Sequence, residues 1–474
     1  MGGAALIAAS NRGPITVAAV DDADDEVRRG GGGLVSGMQN ALAATPDALW
    51  VCAALNDRER QLARQAGGGR LSAQPLVADA LNGDFDVRML PIDAQTFRAA
   101  YNGIANSTLW FVLHQLFDLP TQPVFDASWR RQWAAYVRYN QAFAEAIAAE
   151  AAEGAAVMVQ DYHLFLVPRL LRRARPDLRI GFFTHTPWVP PDYFTTLPDD
   201  VGYEVVDGIL GADVVGFHTR RWADMFGETA QAICGADASG VRVFPLGTDA
   251  EEMYALGHRR SVDSALRVLD DVVGDRLVIG RVDRTELSKN VFRGLLCYRE
   301  LLRKYPQWRG EVVHAVYDNP SREDLPAYRE YTASLERLAA EIDDEFSTDD
   351  WTAILLEIQD DYPAALAALR RSDVIFVNSV RDGMNLVVLE GLVLSERTPA
   401  VVISREMGAA ELLGADAIVV NPFDVSSGAD ALHAALLLDR SVRADRVERM
   451  RAAATRLPPT QWFRAQLDAL PERA

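Results

Sequence analysis

The stretch Arg284-Thr285-Glu286-Leu287-Ser288-Lys289 sets a guanidinium and an ammonium close together, just beyond an apolar run. Two cations of different shape at that spacing could grip a diphosphate, the arginine as a planar fork and the lysine as a compact point charge opening a helix. A solvated basic pair is the plainer alternative. Composition sharpens the choice: of the 48 basic residues only Lys289 and Lys304 are lysine. A chain that otherwise writes arginine has reason to keep a lysine where a pocket is too small for a guanidinium. Pro320-Ser321-Arg322 adds a further arginine. Arg381-Asp382-Gly383-Met384-Asn385-Leu386 then reads as the opening of a helix whose first amides can face phosphate, with Glu390 one turn inside and within reach of ribose hydroxyls.

The N-terminal half offers Gln160-Asp161-Tyr162-His163 and Thr184-His185-Thr186-Pro187-Trp188, each just past an apolar run. A single histidine is more often structural, but two polar clusters at the carboxyl ends of neighbouring strands are where Rossmann-like sheets hold functional groups. Ser10-Asn11-Arg12-Gly13-Pro14 and Gly30-Gly31-Gly32-Gly33-Leu34 come earlier. Glycines entering a helix allow backbone N–H groups close to a phosphate or sugar, although a flexible hairpin has the same composition. Neither loop is GxGxxG or a Walker loop, which disfavours nicotinamide and P-loop chemistry.

The elements that must position these residues are legible as short apolar or β-branched runs: Ala4 to Ala9, Leu49 to Ala53, Ala156 to Gln160, Ile180 to Thr184, Val214 to Phe217, Val241 to Phe244, Leu277 to Gly280, Val312 to Val316, Val374 to Asn378, Ala400 to Ser404 and Ala417 to Val420. Most are continuously hydrophobic, as strands buried on both faces are. Helical spacing lies between them, as in Trp129, Trp133, Tyr136, Val137, Phe143 and Ile147 behind the candidate caps Asp126 and Ser128, with an Ala-rich helix expected over Ala142 to Ala156. Alternating strands and helices predict doubly wound parallel sheets. Pro245, Gly247 and an acidic run up to Asp271 separate two series of strands. The expected division is 1–248 and 249–456, with a C-terminal helix at 457–474 returning to the first domain.

The length of 474 residues suits two large domains, and 49% hydrophobic with 24% charged residues is ordinary globular composition. A formal net charge of −19 argues against nucleic acid as a partner. The longest apolar runs fall far short of the ~20 residues that span a bilayer, and the N-terminus carries no secretory or myristoylation signal, so a cytoplasmic protein is expected, with no membrane partner. Cys52, Cys234 and Cys297 have no metal-binding spacing and read as buried thiols.

Taken in order, Ser-Asn-Arg, Gly-Gly-Leu-Val-Ser-Gly, Asp-Tyr-His, Phe-Phe-x-His-x-Pro, Arg-x-x-x-Ser-Lys, Ser-Arg and Arg-Asp-Gly-Met-Asn-Leu-Val with Glu390 resemble the trehalose-6-phosphate synthases, retaining glycosyltransferases of the GT-B fold, from Ala9 to about Phe463. The resemblance implies two Rossmann-like domains facing a central cleft, an N-terminal acceptor domain and a C-terminal nucleotide-sugar domain. It implies transfer of glucose from a nucleoside-diphosphate glucose to glucose-6-phosphate. Arg12, Tyr101, Trp110 and Arg322 match positions on the acceptor's phosphate, and Asp161 on its hydroxyls. Gly33, His185, Arg284, Lys289, Asp382, Gly383, Met384, Asn385, Leu386 and Glu390 match the donor side, with His185, Arg284, Lys289 and Asp382 as the catalytic set. No cofactor or metal is implied, because fixed cations would stabilise the leaving diphosphate. The expected partners are these two small molecules, and a homo-oligomer is compatible with the sequence.

Two departures stand out. A Trp usual in the family is replaced at Ala53, and the usual Arg-Leu-Asp-Tyr-Ser-Lys-Gly has become Arg284-Thr285-Glu286-Leu287-Ser288-Lys289-Asn290. An Asn after the motif lysine is also found in a pseudo-glycosyltransferase on this scaffold, similar to validoxylamine phosphate synthase, which joins cyclitol phosphates. The intact Asp382-Gly383-Met384-Asn385 favours a sugar donor over that alternative. A pyridoxal-phosphate phosphorylase would need a lysine other than the helix-end Lys304, and a non-catalytic sugar-phosphate sensor would need no complete two-sided site. For the donor base, Asp360 and Asp361 suit guanine, whose N–H and amino group a carboxylate can accept as a fork, better than uracil. Their alternative role is to cap the following helix. GDP-glucose is therefore expected in preference to UDP-glucose.

Overall fold

Each apolar run named above coincides with a strand to within a residue or lies inside a longer one. The computed structural model describes residues 3–19, 25–29, 33–71, 81 and 85–472, and the chain divides into two units, Met1–Leu246 with Pro458–Ala474, and Gly247–Leu457.

The first unit runs through β1 (Ala4–Ala9), an antiparallel hairpin of β2 (Ile15–Ala19) and β3 (Asp25–Arg29), then β4 (Ala48–Ala53), β5 (Asp86–Leu90), β6 (Ala151–Gln160), β7 (Arg179–Thr184), β8 (Val214–Phe217) and β9 (Val241–Val243). All but the hairpin form a parallel sheet in the order β5-β4-β1-β6-β7-β8-β9. The second unit contributes β10 (Leu277–Arg284), β11 (Val312–Asn319), β12 (Ile354–Ile358), β13 (Val374–Val377), β14 (Ala400–Ser404) and β15 (Ile418–Val420), parallel in the order β12-β11-β10-β13-β14-β15. Central strands are apolar on both faces because helices cover both: Ile7, Val157, Ile279 and Val374 are fully buried. Each such side chain contributes roughly 1.5–3 kcal/mol relative to exposure.

The differences from the sequence reading have local causes. β5 and β12 lie at sheet edges, and the polar residues they carry, such as Arg88 and Glu357, hide the strand pattern. β10 and β11 continue past Gly280 and Val316, because the ladder goes on pairing through Asp283↔Asp318 and Arg284↔Asn319 after the apolar character has ended. The Ala-rich helix stops at Glu150, and Ala151 already begins β6; alanine marks no boundary, and Gly154 at φ +68° lies just inside the strand. Of the two candidate caps, Asp126 is the one that accepts Trp129 N–H, at 2.8 Å. Cys52 and Cys297 are buried as expected, but Cys234 is only half-buried, at the end of the helix Arg220–Cys234.

An eleven-residue π-helix, Ala99–Leu109, had no sequence signal. The Ser107 and Thr108 hydroxyls bond carbonyls five residues back, on Asn102 and Gly103, and Gly103 leaves room for Gln132, which a Cβ would meet at 2.3 Å. Such widened turns are frequent at functional sites, and this one carries Tyr101. Among the described residues no helix is long and apolar enough to cross a membrane.

Candidate active site

In each sheet the chain leaves a central strand to build one side and returns beside it to build the other, so a crevice opens at the carboxyl ends of that pair. The pairs are β1/β6 and β10/β13, and the polar clusters lie just past their ends.

In the second unit Arg284 ends β10 with its side chain about half exposed and 3.0 Å from Glu286. Lys289 does not open a helix as expected. It closes the short turn Leu287–Lys289, and Asn290, at φ +61°, leads into the helix Val291–Lys304. The turn is held from several sides. Arg281, wholly buried, donates to the Lys289 carbonyl and to Asn378 Oδ1, while Asn290 Nδ2 donates to the carbonyls of Asn378 and Pro422, both at 2.8 Å. The Lys289 ammonium thereby meets Asp382 at 2.6 Å and lies 3.9 Å from Asp283. Burial alone would lower its pKa, but Asp382 and Asp283 outweigh that and hold it above the ordinary value. Lys289 is a fixed cation at neutral pH.

Asp382 follows β13 and also accepts from Asn385 Nδ2, at 3.1 Å. Asn385, at φ +71°, caps the helix Leu386–Leu394 by accepting Val388 N–H. The Met384 side chain is packed in the apolar cluster with Met407 and Ile403, and Leu386 packs against that cluster. What Met384 can offer a ligand is therefore its main chain. Glu390, on the helix, lines a cavity of about 180 Å³ together with Arg284, Lys289, Asp318, Gln359 and Asp361. Burial, with Glu252 nearby, pushes its carboxyl up to about 7. Asp361 Oδ1 accepts Ala364 N–H as the cap of the helix Tyr362–Arg371, and Asp360 accepts Asn319 Nδ2 at 2.9 Å, so both carboxylates already have protein partners.

Arg322, at φ +50°, also belongs to the second unit. It donates to Tyr328 OH at 2.5 Å and lies 3.9 Å from Glu286. Glu286 is the residue that sequence reasoning passed over. It is completely buried between Arg284 and Arg322 and accepts from Ser321 at 3.0 Å. Burial raises its pKa, but Arg284, Arg322 and Lys289 together bring it below the ordinary value. An acidic residue inside the Arg284–Lys289 motif was the available signal.

In the first unit Asn11 follows β1, buried, and accepts Tyr139 OH at 2.6 Å, while Arg12 beside it is exposed. Tyr101 stacks between Phe97 and His163, and Trp110 packs on His114 and Tyr162. Asp161, at φ +72° and ψ 169°, is a strained residue at the end of β6, and its Oδ1 accepts His185 N–H at 3.2 Å. The His185 ring pairs with Gln160 Oε1 at 3.0 Å and lies among Phe183, His218 and Trp462. Burial, with His218 adjacent, holds it well below its ordinary pKa, so the ring is neutral at pH 7. Gly33 opens the helix Gly33–Ala43, and Gly30 to Gly32 lie outside the described residues.

The structure thus gathers Arg284, Lys289, Asp382, Asn385 and Glu390 at one crevice, with Arg322 joined through Glu286, and Asp161 with His185 at the other. A trehalose-6-phosphate synthase of Mycobacterium sp. (strain JLS) is 32% identical over 98% of this chain and 96% of its own length. A bifunctional trehalose-6-phosphate synthase/phosphatase of Thermoproteus tenax is 29% identical over 96% of this chain, which spans only 62% of that protein. The solved alpha,alpha-trehalose-phosphate synthase (UDP-forming) from Burkholderia vietnamiensis is 28% identical, with a TM-score of 0.83 over 98% of this chain and 100% of that one. These likenesses extend over both Rossmann-like units, and residues 4–472 match Glycosyltransferase family 20 throughout; the chain belongs to that family.

Proposed function

We propose that the protein transfers glucose from a nucleoside-diphosphate glucose to glucose-6-phosphate, giving α,α-trehalose-6-phosphate with retention at the donor carbon. One observation carries the reading: a fork, a fixed ammonium and a carboxyl group, on Arg284, Lys289 and Glu390, line one cavity at the crevice of the second unit. As the bond from the sugar carbon to the diphosphate breaks, negative charge grows on the leaving oxygen. Lys289 is already held at 2.6 Å by Asp382 and need not reorganise to meet that charge, and the amides that open Leu386–Leu394 add to it. The acceptor hydroxyl bonds to the same face of that carbon, and its proton passes to the departing diphosphate oxygen. Glu390 serves the ribose, His185 and Asp382 the donor sugar, Arg12 and Arg322 the acceptor phosphate with Tyr101 and Trp110, and Asp161 the acceptor hydroxyls.

In this reading the two cations take the part of a metal on the leaving group. Activity is expected to survive EDTA in a stripped preparation; loss restored by magnesium would refute that. For the base we propose guanine, because Gln359 and Asp361 line the same cavity, and the Gln359 amide oxygen and the Asp361 oxygen not taken by Ala364 N–H would accept from an N–H and an amino group. Uracil is the second reading, favoured by the relative named as UDP-forming. Nucleotide release with GDP-glucose and UDP-glucose, each with and without glucose-6-phosphate, tests both levels. Release with neither donor sinks the reaction, whereas a UDP-glucose preference in kcat/KM sinks only the base.

A further inference from the structure

Asp318 lies at the wall of this cavity and has no part in the assignments above. It is directly paired with Asp283 across β10 and β11, so both carboxyl groups project from the same face of the sheet. Both residues are almost wholly buried, at 1% and 4% exposure. The cations nearby are already engaged. Arg281 lies 3.0 Å from Asp283, and Lys289 is divided between Asp382 and Asp283. Two cations thus face three carboxyl groups, and Asp318 is the one left over: its oxygens, like those of Asp283, have no hydrogen-bond partner among the described residues, and unlike Asp283 it has no ion pair there either. A buried carboxylate in that position would carry an uncompensated charge, and it would do so on the wall of a cavity read as taking a diphosphate.

We propose that Asp318 is a donor-binding residue that works as a neutral carboxylic acid, donating a hydrogen bond to an oxygen of the nucleoside-diphosphate sugar. This rests on the nucleotide-donor reading of the cavity and adds to it a residue and a protonation state. Burial first, and Asp283 second, push the Asp318 carboxyl up to about 7, while Arg281 and Lys289 pull it back; burial raises Asp283 as well, against the stronger pull of Arg281 and Lys289 that lie closer to it. Other charged or titratable groups line the same cavity, namely Arg284 at the end of β10, Tyr317 on β11, Asp361 and Tyr362 at the next helix start, and Glu390, and Tyr331 of the helix Pro326–Phe346 is close enough to feel the Asp318 charge. Tyr317, Tyr331 and Tyr362 are all raised to about 12 and keep their protons. Glu390, raised to about 7, titrates in the same range as Asp318 and has to be separated from it.

The test is calorimetric binding of GDP-glucose and UDP-glucose, without acceptor, between about pH 6 and about pH 8.5, where neither phosphate of the ligand titrates. Wild-type affinity should fall roughly tenfold to thirtyfold over that range, as one acid ionises with a pKa near 7. Asp318→Asn keeps a neutral donor of the same shape. It should bind within about threefold of wild type at the low end and lose much of the pH dependence, whereas Asp318→Ala should bind about tenfold more weakly there. Glu390→Gln should leave the Asp318 share of the pH dependence in place. An Asp318→Asn variant that keeps the full wild-type profile, or that binds as weakly as Asp318→Ala at low pH while melting like wild type, overturns the inference. Absence of binding to wild type at every pH removes the nucleotide-donor reading, and this inference with it.

Discussion

At the scale of single residues, the shape of a cation matters as much as its charge. Lys289 reaches Asp382 from a turn pinned by Arg281 and Asn290, with its side chain only 13% exposed. A planar guanidinium cannot reproduce that compact contact from the same pinned turn, so Lys289→Arg is expected to lower kcat about tenfold or more, equivalent to about 1.4 kcal/mol in the barrier, with melting temperature little changed. Steady-state kinetics beside a thermal melt would show it, and near-normal turnover would mean that the lysine is incidental. Glu390 makes a prediction about pH. Its folded-state carboxyl is raised from 4.5 to about 7, so the folded protein holds that proton more tightly than the unfolded chain does between those values. The stability it contributes is therefore full below about pH 4.5 and is lost as pH rises towards about 7. Glu390→Gln should flatten that part of a stability-against-pH curve relative to wild type. Parallel curves for the two proteins would show that Glu390 has no raised pKa.

At the scale of elements, the site is built by strand ends and the turns that follow them. The segment after β14 laces itself to the turn that carries Asp382: Asp382 N–H donates to Glu406 O, Gly408 N–H to Asp382 O, and Ala409 N–H to Met384 O. A Cβ on Gly408 would stand 2.1 Å from the Gly383 carbonyl oxygen, which is main chain and cannot swing aside. Gly408→Ala should therefore shift the Asp382–Asn385 turn. We expect kcat/KM to fall more than about tenfold for a stability cost of about 1–3 kcal/mol, the usual range for overpacking. Unchanged kinetics with the same loss of stability would show that the turn does not depend on this close approach.

At the scale of the whole molecule, the chain crosses from the first unit to the second and then returns. The helix Pro459–Asp468 belongs to the first unit although it follows all of the second. Its Trp462 is fully buried, donates to Phe244 O at 3.0 Å, and packs against Phe183 and His185. Trp462→Ala should cost about 3–5 kcal/mol. Because the void left by the Trp462 indole would lie inside the first unit, hydrogen exchange should quicken at β7 and β8 while β10 to β15 keep their protection. Equal loosening of both units would contradict that placement of Trp462.

What the sequence determined by itself is what depends on local pattern. Continuous apolar runs specify strands buried on both faces, as at Val312 to Val316, and the motifs from Arg12 to Glu390 place the chain in its family, because each requires particular residue types in a fixed order. What it could not show depends on neighbours remote in the chain. Edge strands β5 and β12 are strands because of the partner beside them, and the π-helix has no period of its own in the sequence. Lys289 and Asp382 lie far apart in the chain and meet at 2.6 Å only because β13 returns beside β10. The same geometry turns Glu286 into the anion shared by two arginines and leaves Asp318 without an ion pair among the described residues. Charge balance in a buried site is a sum over everything that surrounds it, and only the tertiary structure supplies the list.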